Sequence, residues 1–388
     1  MFELLFWSAA LFVIYVYVGY PILISIASRI WNSPTKQAEI RPAVSLVTPA
    51  YNEEGVIAKK IESCLSLDYP ADKLEIIVAT DGSTDRTVEI VSRYHARGVK
   101  LSHSPCREGK VVAVDRAIRL ATGEIIVNSD AKASLATDAL KRIVRHFHDP
   151  SVGCVSGKRA IVLQRESGPS LAENLYARYE SFLKKCESAL HSCAGAEGQI
   201  YAFRKSLYPG LLASLGSDDF YLPLKLLANS GCRLIYEPEA VAFVAAGATV
   251  PEELRRKLRI RINTLSVMKQ MWPLLVPFRS PVWWQLLSHV MARYLVPPAL
   301  VVWFASSAVL SQQSAFYVAA LITQGLFYLF AALGWWLETK AIRVRIFYVP
   351  FYFVFMHLAM VWGTIRFFRG SQAHIWEPTQ RVGDAFPH

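Results

Sequence analysis

Three acidic segments stand directly after three apolar runs. "VSLVTP" at 44 leads into "AYNEE" with Tyr51 and Glu53, "LEIIVAT" at 74 runs into Asp81 of "TDGSTD", and "EIIVNS" at 124 runs into Asp130 of "SDAKA". Further on, "SDDF" sets Asp218 and Asp219 side by side, and "CREGK" offers Lys110 directly after Gly109. A carboxylate within hydrogen-bond reach can take a proton from a hydroxyl, and carboxylates at one point can hold a divalent ion. A lysine at the opening of a helix suits phosphate oxygens, because free N–H groups and a point charge meet there. Each signal alone has an ordinary explanation: Asp81 and Gly82 make a turn with Ser83 or Thr84 as helix cap, and Asp219 is an acid favoured by a helix N-terminus. Three acids at three strand ends argue against three separate accidents.

The elements that must position these residues follow from periodicity. Between about 41 and 250, short apolar runs, a further one being "VGCVSG" at 152, are separated by stretches of helical spacing such as Ile57, Ile61, Cys64 and Leu65. This alternation predicts an α/β layer with a largely parallel sheet, whose ligands bind at the carboxyl ends of strands.

The rest of the chain is too apolar for water alone. Of 388 residues 53% are hydrophobic, and the excess is uneven. Residues 3 to 28 hold one charge at their start and then enough uncharged residues to cross a bilayer core of about 30 Å. A signal peptide would have a basic lead and a shorter apolar core, so a retained anchor is expected. "LVPPALVVWFASSAVL", "SAFYVAALITQGLFYLFAALGWWL" and "IFYVPFYFVFMHLAMVWGTI" are three more candidate spans, with Pro297 and Pro298 able to break the first and "WPLLVPF" able to lie in the interface. Arg29, Lys36 and Arg41 after the first span place the following region in the cytoplasm, and Arg366, Arg369 and Arg381 would prefer the same side, which four spans deny them. The net charge of +11 therefore reads as membrane-surface charge, and no nucleic-acid partner is expected. The six cysteines form no CxxC pair and read as reduced thiols.

Taken jointly, "PAYNEE", "TDGSTD", "REGK", "SDAKA", "GAEGQIYAFRKSLY" and "DDF", in this order, resemble the inverting, GT-A-type glycosyltransferases of family 2 over about residues 41 to 270. The likeness is greatest to membrane polysaccharide synthases of the cellulose, hyaluronan, chitin-oligosaccharide and poly-N-acetylglucosamine type. The resemblance implies a GT-A α/β fold with a mixed, mostly parallel sheet and transmembrane helices at both ends. The expected division is an N-terminal transmembrane helix at 1–31, a cytoplasmic transferase domain at 41–250, interfacial helices at 251–287, about three transmembrane helices at 288–369 and a tail at 370–388, all in an inner (plasma) membrane. It also implies roles. Asp81, with Tyr51 and Glu53, would hold the base and ribose of a nucleotide-diphosphate sugar, probed further by Lys110, Asp130 and Arg259. Asp219 would be the general base with Asp218 as its acidic neighbour, and Gly195, Glu197, Gly198 and Arg256 would face the acceptor. Asp130 would be the metal ligand for Mn²⁺ or Mg²⁺.

Two departures qualify that expectation. Lys132 stands where a D-x-D metal motif has its second acid, which puts metal use in question. Where processive synthases carry Q-x-x-R-W, this chain has Arg256-Lys257-Leu258-Arg259-Ile260: the arginine is kept and the Gln and Trp are not. The leading expectation is transfer to a growing poly- or oligosaccharide, with export or accessory subunits as partners. The alternative is addition of one sugar to a membrane lipid, such as a polyprenyl phosphate or a ceramide-like lipid. A third reading is a non-catalytic scaffold or sugar-nucleotide sensor that lost its metal, for which Lys132 is the support.

Overall fold

The computed structural model describes residues 1–162, 168–212, 215–245, 250–340 and 344–370. The expected tail at 370–388, with Arg381 and "WEPTQR", lies outside them but for its first residue. Among the described residues the central sheet has eight strands in the order β3-β2-β1-β4-β7-β6-β8-β5. The strands are β1 Val44–Ala50, β2 Leu74–Asp81, β3 Val99–Ser104, β4 Ile125–Asn128, β5 Ala133–Leu135, β6 Val152–Val162, β7 Tyr201–Arg204 and β8 Arg233–Ala245.

The β3-β2-β1-β4 half is parallel throughout, and β7 runs antiparallel to both β4 and β6. β8 then pairs parallel with β6 and antiparallel with β5. β1 is fully buried along its length, as a strand covered by helices on both faces must be. Its two neighbours are reached by connections on opposite sides, so the chain reverses its winding at β1. At such a point the loops after β1 and β4 diverge and leave a crevice between them. "YNEE" and "SDAKA" are those loops.

Two apolar layers hold the sheet. One face packs Leu46, Val78, Ile125 and Val127 on Ile57, Ile61, Leu140 and Ile143. The other packs Val47, Ile77 and Ile126 on Val114, Ala117 and Ile118 of the Lys110–Leu120 helix and on Leu222 and Leu226 of the Asp218–Ser230 helix. That second helix ends at Gly231, whose φ of 65° is the left-handed turn that stops a helix without strain.

Among the described residues four helices are long and apolar enough to cross a membrane: Phe2–Ile30, Trp283–Leu310, Ala315–Thr339 and Ile346–Phe368. Pro297 and Pro298 do not break the second of these; the Ala292–Leu310 helix runs through both, preceded by a wide π-helical stretch at Leu286–Met291. In apolar surroundings the freed backbone groups find partners only if the helix continues, which favours it over a break. "WPLLVPF" forms a short 3₁₀ turn at Trp272–Leu275 with Trp272 exposed. The basic Val250–Gln270 helix lies against the last apolar helix, where Gly363 permits close approach: an added Cβ there would meet Arg261 Cβ at 2.7 Å. All six cysteines are free.

Candidate active site

The crevice is built from both halves of the chain. Glu53, Lys110, Asp130, Lys132, Asp218, Asp219, Arg256 and Arg259 line one cavity of about 140 Å³. The loops after β1 and β4 supply Glu53, Asp130 and Lys132, the start of the Lys110–Leu120 helix supplies Lys110 and the start of the Asp218–Ser230 helix the acid pair, while the basic helix adds its arginines.

Lys110 is the hub. Its ammonium lies 3.0 Å from Asp130 Oδ1 and 3.2 Å from Asp218 Oδ1. Burial opposes its charge, but Asp130, Asp218 and Asp219 outweigh that and hold it above the ordinary lysine range. The two adjacent acids are not equivalent. Asp218 is 2% exposed, and its Oδ2 accepts from the Tyr201 hydroxyl at 2.7 Å and from Asn128 Nδ2 at 2.8 Å. Asp219 is less buried and accepts from the Ser217 hydroxyl at 2.6 Å. Burial first, and the neighbouring Asp218 second, push the Asp219 carboxyl up to about 6 against the lowering effect of Lys110 and Ser217. A carboxyl in that range is ionised at neutral pH and basic enough to accept a proton.

Lys132 lines the crevice beside Glu53. Its ammonium lies 3.4 Å from Oε1 of Glu53, a residue only 3% exposed. The loops after β1 and β4 are adjacent, so an apparent repulsion along the sequence is an ion pair in space. Glu53 is thereby engaged with a lysine of the crevice wall, and its backbone N–H donates to Thr87 Oγ1 at 2.8 Å.

Asp81 does not line the cleft. It is 4% exposed, and its two carboxylate oxygens accept the backbone N–H groups of Glu108 and Gly109, each at 2.8 Å. The "TDG" turn and the "CREGK" loop lock together there: a Cβ on Gly82 would meet Arg107 N at 2.6 Å. The Arg107 guanidinium sits 4.0 Å over the Tyr51 ring. The sequence reading puts Asp81 on a base and ribose; in the structure its carboxylate holds the loop that delivers Lys110, with one backbone donor on each oxygen.

Gly195 and Gly198 stand where a side chain would not fit. An added Cβ would meet the Phe220 ring at 2.8 Å from Gly195 and Asp219 Oδ2 at 2.7 Å from Gly198, so the loop lies flat on the acid-bearing helical turn. Glu197 falls outside the Asp219 cleft. It lines a neighbouring cavity, where Lys184 and Arg159 pair with it and outweigh burial to hold its carboxyl below the usual range. Sequence reasoning missed Asn128, Gln199 and Tyr201; Gln199 Nε2 donates to Asp130 Oδ2 at 3.4 Å. Asn128 precedes Asp130 at the strand end, and Tyr201 lies within "GQIYAFRK", but nothing local marks either as a partner of Asp218.

Among the described residues no group of three His, Cys, Asp or Glu side chains gathers at one point. Mg²⁺ and ions like it are commonly held by one or two carboxylates together with substrate phosphates. The crevice fits an ion that arrives with a diphosphate and takes Asp130 as its protein ligand, and it does not offer the donors for a resident ion.

Residues 45–207 match the description Glycosyl transferase family 2. This stretch is a family 2 domain. Over 257 residues the chain is 28% identical to an N-acetylglucosaminyltransferase of Bradyrhizobium diazoefficiens, covering 62% of this chain and 52% of that protein. Over 124 residues it is 34% identical to a beta-monoglucosyldiacylglycerol synthase of Synechocystis sp., covering 31% of this chain and 26% of the relative. The chain thus spans about half the length of the first relative and a quarter of the second. A mannosyltransferase from Pyrobaculum calidifontis, solved with GDP-Man and Mn²⁺, superposes with a TM-score of 0.72 at 24% identity, over 96% of this chain and 100% of its own. The fold around the family 2 domain is the GT-A mixed sheet, in agreement with the expected class, and apolar helices flank it.

Proposed function

We propose that this protein is an inverting glycosyltransferase that takes a sugar from a nucleotide-diphosphate donor, UDP-linked on the family resemblance, and passes it to a saccharide or lipid acceptor. The observation that carries the reading is Asp219: an acid near pH 6 at the mouth of a crevice whose other wall holds Lys110, Arg256 and Arg259. In the reaction an acceptor hydroxyl oxygen attacks the anomeric carbon while the bond to the diphosphate breaks. The hydroxyl proton goes to Asp219, and the electron pair leaves with the nucleoside diphosphate. In-line attack on an α-linked donor gives a β-glycoside.

The remaining residues serve charge and position. Lys110 and Arg259 offset the negative charge that develops on the leaving diphosphate. A divalent ion bound with the donor would be held by Asp130 and would share that load. Asp218 holds Lys110 in place and is itself held by Tyr201 and Asn128. The Arg107–Tyr51 stack offers a flat cationic platform suited to a nucleobase. Lys132, the residue that favoured a scaffold without activity, is engaged by Glu53, which supports the enzyme reading.

The four apolar helices and the basic segments after the first of them support an inner-membrane, multi-pass location with residues 41–250 facing the cytoplasm. Incubation of membranes with labelled nucleotide sugars tests the function. A labelled glycan or glycolipid lost in Asp219→Asn supports it, and undiminished product in that variant refutes it. Product size separates the two acceptor readings. Ile260, in place of the Trp of processive synthases, favours a limited number of additions; a long ladder would favour polymerisation.

A further inference from the structure

The Asp219 cleft is the first of three consecutive cavities. Ile260 lines it and also lines a polar cavity of about 160 Å³ with Arg159, Glu180, Glu197 and Arg261. The same loop borders both, with Gln199 lining the first and Glu197 the second. Tyr176 lines the polar cavity and also a third, of about 240 Å³, that opens between the apolar helices.

The polar cavity has cationic groups to spare. Glu197 is held by Lys184 and Arg159, and Glu180 by His289 Nε2 at 2.9 Å and Arg293 Nη1 at 2.6 Å. Arg293 Nη1 also meets the Tyr176 hydroxyl at 3.0 Å, which sets this guanidinium at the junction of the second and third cavities. Arg293 is 5% exposed, its Cζ lies 5.9 and 5.7 Å from the ring centroids of Tyr176 and Tyr179, and its Nε and Nη2 have no hydrogen-bond partner among the described residues. Nε of Arg261 is likewise buried without one. An arginine within an apolar helix of spanning length is costly, and such residues mark ligand sites or pathways. Beyond Arg293 the walls are Leu175, Val349, Phe353, Met356 and Met360.

The geometry points to an amphiphilic acceptor in three parts: a hydroxyl at Asp219, a phosphate ester at Arg261 and Arg293, and a long apolar chain in the third cavity. This rests on the reading of Asp219 as general base. A bare saccharide would leave its hydroxyls without partners along the Leu, Val, Phe and Met wall. An ionised phosphate as the nucleophile would need no base, so the reacting hydroxyl lies beyond the anionic group.

Native mass spectrometry of the full chain in neutral detergent tests this with dodecyl phosphate, butyl phosphate, inorganic phosphate and dodecyl glucoside as probes. One dodecyl phosphate is retained per chain, with affinity rising about fourfold per buried methylene, while inorganic phosphate and the neutral glucoside bind far more weakly. Arg293→Gln lowers dodecyl phosphate affinity about tenfold to a hundredfold, the loss of charge-assisted hydrogen bonds to one anion. Leu175→Trp, at a position 47% exposed and so tolerant of bulk, removes the chain-length dependence. Inorganic phosphate binding as well as dodecyl phosphate overturns the inference, as does unchanged binding in both variants. The two readings fail separately: Asp219→Asn that keeps transfer refutes the general base, whereas Asp219→Asn that loses transfer while the wild-type chain ignores dodecyl phosphate refutes only the acceptor.

Discussion

Asp219→Asn is expected to cost activity and add stability. The Asp219 carboxyl is raised from 3.8 to about 6 in the folded chain, so folding binds a proton more tightly there than the unfolded chain does. The neutral form's advantage is fully present below the unfolded value and is lost as pH rises through 6. Above that the ionised acid weighs against the fold, by up to about 3 kcal/mol at pH 7 to 8. Asparagine resembles the neutral acid in shape and carries no charge, so the variant recovers that energy at pH 8 and gains little at pH 4. Activity moves the other way, by about 10²- to 10⁴-fold in kcat for removal of a general base. In the parent protein kcat/KM falls as pH drops through about 6, and at pH 5 only about a tenth of the carboxyl is ionised. Thermal unfolding of the detergent-solubilised pair at pH 4, 6 and 8, with initial rates on the same samples, reads both effects. A variant no more stable than the parent at pH 8, or an acid limb near pH 6 that persists in the variant's residual activity, refutes the assignment.

Three other perturbations follow from the crevice. Tyr201→Phe removes one of the donors to the buried Asp218 and lowers stability by about 1 to 2 kcal/mol in chemical unfolding, with a smaller effect on KM for the donor. Gly198→Ala drives a methyl toward Asp219 Oδ2, where the built contact is 2.7 Å; kcat falls at least about tenfold, as misplacement of a reacting group by about 1 Å can cost more, while thermal stability changes less than in Tyr201→Phe. Mn²⁺ titrated calorimetrically into the chain alone gives weak heats, and titrated with a nucleoside diphosphate present gives tight binding that Asp130→Asn abolishes. Equal Mn²⁺ affinity with and without the nucleotide would contradict an ion carried in by its diphosphate.

The parts of this molecule legible in sequence share one property: their signals are local. β1, β2, β4 and the first half of β6 are buried on both faces, so they stand out as continuous apolar runs. β3 alternates buried and exposed residues at the sheet edge, β5 has three residues, and neither gives such a run. The strand-end acids were legible because the chain must leave a parallel sheet at those points. Their pairings were not. Lys132 and Glu53 meet because β1 and β4 are neighbours, and Asp218 meets Tyr201 and Asn128 because the antiparallel β7 sets Tyr201 beside Asn128. Asp81 reads as an exposed turn acid only until the loop at 106–109 folds over it. That the helix start carrying Asp219 and Phe220 lies against Gly195 and Gly198 was not legible either.

The contact between Gly363 and Arg261 ties the lid of the crevice to a helix of the apolar bundle. Arg256 and Arg259 belong to that lid, so a fragment ending at residue 245 would keep the sheet, the acid pair and Lys110 yet stand open on the side where the cations gather. The sheet and its acids alone are therefore an incomplete machine. A tilt of the last apolar helix would shift the lid that carries Arg256 and Arg259, and with it the cationic side of the cleft.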